Sequence, residues 1–328
     1  MSPEEHLTRL GFGFAISQSL KAAVDLDIAD RLVAGARSAE DLAAECGVHA
    51  GALARVLRVL CAEGVFHEEP SGVFGLTAVG DALRAGRGPR DFLRMLNAEP
   101  YLAFDKLSHS VRTGEPSFDV VFGLPRFTWL AQSPEAAKAF QAAMVAYGRG
   151  VNEAVADAYD FAGCSTVADI GGGHGRLLSA ILARNPHLKG ILFDLPSGVE
   201  EARKGVGGPL PNTSFIAGDF FESVPAGADV YIIKKVIHDW DDEKSVAILT
   251  AVRRVLPPHG RVLLAETLVP PGNAFSTIKL IDLTMLAITG GLERTEDEYA
   301  SLFARAGLSL SRVIPTAAAI QLLEAKDA

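Results

Sequence analysis

Residues 167–175 read Val-Ala-Asp-Ile-Gly-Gly-Gly-His-Gly, an apolar run passing directly into a glycine-rich turn. The run predicts a buried strand, and Arg176–Arg184 predicts the helix after it. Strand, tight turn and helix in that order commit the chain to an α/β architecture. The alternating glycines Gly171, Gly173 and Gly175 let the backbone turn sharply and approach a ligand closely. The turn lies at the carboxyl end of its strand, where open α/β sheets bind their ligands. Asp169 stands two positions before the first of these glycines.

Two better-known glycine loops are excluded. A dinucleotide loop wants G-x-G-x-x-G, and counting from Gly171 the sixth position is Arg176. No Gly-Lys-Ser/Thr follows, so there is no phosphate loop. The pattern is D-x-G-x-G-x-G, which resembles motif I of S-adenosylmethionine-dependent methyltransferases. The following strands suit a nucleoside. Gly190–Phe193 is a short apolar run ending at Asp194, an acid about twenty residues beyond the loop and placed to accept from ribose hydroxyls. Ser214–Ala217 leads into Gly218-Asp219-Phe220-Phe221, an acceptor beside aromatic rings, as an adenine requires; one of the two phenylalanines is expected in the core.

Ala228–Ile233 predicts a fourth buried strand, followed by Lys234-Lys235-Val236-Ile237-His238-Asp239-Trp240. With Phe193-Asp194-Leu195-Pro196 and Gly291-Leu292-Glu293-Arg294-Thr295, these segments resemble the small-molecule O-methyltransferases, which include plant caffeic-acid and flavonoid enzymes and bacterial natural-product enzymes. The resemblance covers nearly the whole chain. It implies a class I methyltransferase fold, a Rossmann-like seven-stranded sheet preceded by a helical, winged-helix dimerisation domain. It implies S-adenosyl-L-methionine as cofactor, S-adenosyl-L-homocysteine as product, and a small aromatic acceptor. His238 matches the general base, and Glu266 and Glu293 match carboxylates that hold its ring. Asp169, Gly171, Gly173, Gly175, Asp194, Leu195, Asp219, Phe220 and Lys234 match the cofactor site. Phe140, Met144 and Met285 match the acceptor side. Two departures affect the acceptor pocket: Gly148 replaces a small hydroxylated residue, and Phe104 stands where a tryptophan is frequent.

The chemistry explains why such residues are needed. Aligning an acceptor oxygen with a sulfonium methyl can contribute about 7–11 kcal/mol through positioning alone. A phenol near pKa 10 and a histidine near 6.5 differ by roughly 5 kcal/mol, so proton removal must be concerted with transfer or helped by a raised histidine pKa. Acidic neighbours would supply that help and fix the tautomer. An amine acceptor would need less base, and loss of the base would suggest a non-methylating reaction on the same cofactor.

The remaining sequence sets boundaries. We expect a dimerisation domain over 1–100, a helical bridge over 101–155 and a catalytic domain over 156–328. Thr8–Leu20, Lys21–Val33 and a Leu53, Val56, Leu57, Leu60 stripe predict helices, and Val65–His67 with Val73–Leu76 predicts a hairpin. That layout also occurs in DNA-binding regulators. Residues 1–100, however, carry 10 Lys and Arg against 14 Asp and Glu, a net of −4, where a DNA reader should be basic. The whole chain, at −9, likewise argues against a nucleic-acid partner. No apolar run reaches the length of a membrane span. Cys46, Cys61 and Cys164 lack metal spacing, so no metal site is expected, and they read as thiols of a reducing, cytoplasmic compartment. Ser133-Pro134 predicts a helix start placing Phe140 and Met144 on one face. A capping box at Thr295–Glu298 opens a helix to about Ala306, and Leu308–Ile314 with Ala318–Glu324 predicts a closing hairpin with one reversed strand.

Overall fold

The computed structural model describes residues 2–328 and divides into two compact units. One contains the chain up to Asp105 together with Val120–Gly148; the other contains Lys106–Asp119 and Arg149–Ala328.

In the first unit the two long helices expected at the start are instead Pro3–Gly11, Gly13–Asp25 and Ile28–Arg31. Local chemistry moves the boundaries. Ser2 and Glu5 form a reciprocal capping box with Pro3 at the first helical position, so the helix starts early. The glycines flanking Phe12 weaken helix continuation. Asp27 adopts a left-handed backbone, φ 54°, which ends the second helix. The stripe on Ala50–Ala62 buries Leu53, Leu57 and Leu60 as its spacing requires. Three short strands, β1 (Arg37–Ser38), β2 (Phe66–Glu68) and β3 (Val73–Leu76), form an antiparallel sheet in the order β1-β3-β2. Helix Pro134–Tyr147 belongs to this unit, with Tyr147 stacked on Phe92 at 4.7 Å.

The second unit is built on seven strands: β4 (Thr166–Ile170), β5 (Lys189–Asp194), β6 (Thr213–Ala217), β7 (Val230–Lys234), β8 (Arg261–Glu266), β9 (Leu308–Pro315) and β10 (Gln321–Asp327). Their order is β6-β5-β4-β7-β8-β10-β9, parallel through β8, with β10 antiparallel to both neighbours. The last strand begins at Gln321 rather than Ala318. The Thr316 hydroxyl bonds the Ala318 and Ile320 carbonyls and the Ala318 N–H, which holds those residues in the turn. Val167, Ala168, Ile232, Leu263 and Leu264 are fully buried, as strands covered on both faces must be. Strand order reverses between β4 and β7, which places the ligand crevice at their carboxyl ends.

The glycine loop occupies that crevice. Gly171, Gly173 and Gly175 all have positive φ, 70°, 54° and 76°, which an L side chain adopts only with strain. A second segment is pressed against the loop: a Cβ built at Gly207 would lie 1.8 Å from the His174 carbonyl oxygen. Gly207→Ala should therefore destabilise the second unit by about 1–3 kcal/mol, because it overpacks against backbone. A lower denaturant midpoint checks this, and an unchanged midpoint would show that the loop yields freely.

Candidate active site

The acids at the strand ends come together around the glycine loop. Asp194, closing β5, accepts the Gly173 N–H at 2.7 Å through Oδ2 and the Leu195 N–H at 2.7 Å through Oδ1. Two backbone donors thus fix its carboxylate against the turn after β4, and each oxygen retains acceptor capacity. The Leu195 side chain is exposed. Asp219 accepts the Phe221 N–H at 2.8 Å, which closes the turn after β6. Phe220 packs on the core and beside Gly171, whereas Phe221 is exposed and meets the Trp240 ring edge-on at 5.0 Å.

A cavity of about 230 Å³ opens between the loop and β7, lined by Asp169, Gly171, Gly172, Gly173, His174 and Arg176 on one side and Lys234 and Asn152 on the other. Among the atoms of these lining residues, Asp169 Oδ2 and Asn152 Oδ1 are buried without a hydrogen-bond partner. Burial pushes the Asp169 carboxyl up to about 7, against the pull of Lys234 and with the push of Asp194. Burial also lowers the Lys234 ammonium, and the nearby acids Asp169 and Glu266 oppose it. Two orphaned acceptors on residues lining one cavity are a costly arrangement that a ligand donor, such as an ammonium, would relieve. The pairing of bare glycine backbone with these acceptors fits the amino-acid tail of the expected cofactor.

The second cluster follows β7. Lys235 takes a left-handed backbone, φ 53°, and Ile237–Asp239 forms a single 3-10 turn. His238 Nδ1 lies 2.8 Å from Glu293 Oε1. A carboxylate only accepts, so Nδ1 carries the proton of this bond and Nε2 keeps its lone pair. Lys235 Nζ donates to the same carboxylate at 3.0 and 3.3 Å. Glu266, closing β8, makes no hydrogen bond to the ring and acts on it through charge. Its Oε1 accepts the backbone N–H groups of Val236 at 3.3 Å and Ile237 at 3.2 Å, so it shapes the turn beneath the histidine. Its Oε2 is buried without a hydrogen-bond partner, and Lys235 Nζ is 3.9 Å away. Atoms of His238, Glu266 and Glu293 nevertheless lie within 4.8 Å of one another.

The electrostatics follow from that crowding. Burial drags the His238 pKa down, but the Glu293 hydrogen bond and the charges of Glu266 and Asp239 outweigh it, so the ring is raised above its ordinary value. Burial pushes Glu293 up, yet His238 and Lys235 hold it below the usual carboxylate range. Glu266 is raised, chiefly by burial.

Sequence reasoning missed the residues that build this cluster's frame. Arg294 is fully buried; its Nη2 donates to the Trp240 carbonyl and to Asp242 Oδ1, both at 2.8 Å, and its Nη1 to the Ile237 carbonyl at 3.3 Å. Asp282 accepts the Glu293 N–H at 2.9 Å, and the His238 carbonyl accepts the Leu292 N–H at 2.8 Å. An arginine directly after Glu293 within Gly-Leu-Glu-Arg-Thr was the available signal. Met285, on the unforeseen helix Thr277–Ile288, reaches the same place: a Cβ built at Gly291 would lie 2.6 Å from the His238 carbonyl and 2.7 Å from Met285 Cε. Phe140 and Met144 sit on Pro134–Tyr147 in the first unit. Among the described residues, no helix is long and apolar enough to cross a membrane.

The chain is similar to known proteins along most of its length. Residues 104–309 match the family model of an O-methyltransferase domain, and residues 8–86 match that of an O-methyltransferase dimerisation domain. The chain is 43% identical to a phenazine O-methyltransferase, PhzM, of Lysobacter antibioticus, over 96% of this chain and 93% of that one. It is 37% identical to the mitomycin biosynthesis 6-O-methyltransferase of Streptomyces lavendulae, over 95% and 91%. Among solved structures it superimposes with a TM-score of 0.79, at 34% identity and over 95% and 96% of the chains, on the O-methyltransferase NcsB1 from neocarzinostatin biosynthesis. That protein was crystallised with S-adenosylmethionine and 2-hydroxy-5-methyl naphthoic acid.

Arg294→Ala should cost about 3 kcal/mol or more, since it strips buried carbonyls of their donor. Calorimetric melting checks this, and a variant as stable as the parent would show that the guanidinium does not support the histidine turn.

Proposed function

The chain belongs to the S-adenosylmethionine-dependent O-methyltransferases, and on that footing we propose that it methylates a phenolic hydroxyl of a small aromatic metabolite with His238 as general base. The observation that carries this reading is the ring itself: Nδ1 engaged by buried Glu293, Nε2 left free to accept a proton. When bound, S-adenosylmethionine supplies an electrophilic methyl on a sulfonium. The chain's residues hold and orient. Gly171, Gly173 and Gly175 present bare backbone, Asp194 offers its spare acceptor sites to ribose hydroxyls, and Asp219 with Phe220 and Leu195 serves the adenine end. Asp169, with Asn152 and Lys234 beside it, takes the amino-acid tail. Aromatic acceptors are supported by the relatives, one of which was crystallised with a hydroxynaphthoic acid. Met285 is assigned to the acceptor side by its approach to the His238 turn, and Phe140 and Met144 keep the role that the resemblance gives them.

The proton balance favours this assignment. A phenol is some 3.5 units less acidic than an ordinary imidazolium. A histidine raised by Glu293 narrows that gap, and concerted proton removal covers the rest. The first unit is assigned to a homodimer, supported by the dimerisation-domain match and by exposed Leu7, Leu10, Phe12 and Phe14 on and between its first two helices.

His238→Ala should lower turnover by about 10²–10⁴-fold while leaving calorimetric cofactor binding intact; an undiminished rate would remove the base assignment. Asp194→Ala should do the reverse and weaken cofactor binding first. The rate should rise with pH through the histidine titration, because only the neutral ring accepts a proton. Its midpoint should lie above the ordinary imidazole value of about 6.5. Screening phenols, catechols, hydroxyquinones and aryl amines with labelled methyl donor identifies the acceptor; turnover of amines alone would overturn the phenolic reading.

A further inference from the structure

Two buried glutamates beside one histidine create a difficulty for a base. Glu293 and Glu266 have almost no exposed side-chain surface, and Asp239 Oδ1 adds a third acid 3.6 Å from Nε2. Acids this close favour the imidazolium, and a permanently protonated ring can accept nothing. Among the described residues, one lysine ammonium contacts this group directly, and Lys234 also acts electrostatically on Glu266. Lys235 Nζ contacts both oxygens of Glu293 at 3.0 and 3.3 Å and lies 3.9 Å from Glu266 Oε2. Its ammonium and the His238 ring share the same oxygen, Glu293 Oε1. Its backbone is held at φ 53°, a conformation that costs energy for a side chain of this size and persists only where surroundings impose it. The other charged groups here are committed elsewhere: Arg294 to Asp242 and backbone carbonyls, and Asp282 to the Glu293 N–H; Tyr299 is buried nearby.

We propose that Lys235 is a positioning residue for the base: its ammonium neutralises Glu293 when the imidazole is uncharged and so leaves His238 free to accept the acceptor's proton at neutral pH. The cation next to Glu293 is then lysine before the proton moves, with the imidazolium joining it only afterwards. A second positive charge on the same carboxylate also weakens the ring's hold on that proton, which eases its release to solvent after transfer. This inference rests on the reading of His238 as general base.

The test uses the full chain with Lys235→Met and Lys235→Arg, and measures the His238 imidazole titration by ¹⁵N NMR alongside the pH profile of kcat/KM for a phenol that the screen shows to be turned over. The Lys235→Met ring should titrate about one unit or more higher, with the acid limb of kcat/KM moving equally. The rate at pH 7 should fall about tenfold per unit and return at high pH. Lys235→Arg should keep both near wild type. If Lys235→Met does not fold, Lys235→Gln, which still donates to Glu293 without charge, carries the same comparison. An unmoved His238 midpoint overturns the proposal. A midpoint that moves without the acid limb supports the role of Lys235 and sinks the general-base reading instead.

Discussion

The Glu293–His238 hydrogen bond is the contact around which the second unit's chemistry is arranged. It joins the segment after β7 to the segment after the helix Thr277–Ile288, which are 55 residues apart in sequence. Neither end is free to move. The histidine turn is held from below by Glu266, which accepts its backbone N–H groups, and from the side by Arg294, which donates to its carbonyls. The glutamate is held by Asp282 through its own N–H. A side chain fixed this way presents its free nitrogen in one direction, which is what an aligned displacement would need from the base proposed above.

The sheet separates two tasks by strand. The ends of β4, β5 and β6 supply bare backbone, acceptors and an aromatic face, all of which suit a nucleoside and an amino-acid tail. The ends of β7 and β8 supply the imidazole and the carboxylates. Lys234 and Lys235 sit at the junction and point to different duties: the first lines the cavity with Asp169, the second joins the glutamates. Consecutive residues on an extended strand would face opposite sides. The left-handed backbone at Lys235 breaks that alternation just where the strand must turn into the histidine segment.

Much of this was legible in the sequence because its signals are local. Continuous apolar runs marked β4 through β7 to within two residues, and the glycine spacing marked the turn after β4. The strand-end acids were found because Asp194 directly follows such a run and Asp219 stands one residue beyond one. What was missed depends on partners distant in sequence or on one side chain's local competition for backbone. Asp27 ended a helix by adopting a left-handed conformation that asparagine and aspartate tolerate, and Thr316 delayed a strand by binding the turn itself. The roles of the two glutamates could not be ordered, since both follow apolar or turn sequence and only the fold brings one, and not the other, onto Nδ1.

Three buried polar atoms without a hydrogen-bond partner belong to the two groups of residues, the cavity lining and the histidine cluster. Asp169 Oδ2 and Asn152 Oδ1 belong to residues that line the cavity after β4. Glu266 Oε2 lies outside that cavity's lining and closer to Lys235. Burial raises the pKa of both Asp169 and Glu266, so the first can respond to a ligand's positive charge and the second to the charge state of the histidine. An acid poised by burial beside a base changes its proton affinity whenever the base changes charge. A positive charge on His238 lowers the proton affinity of Glu266, against the burial that raises it.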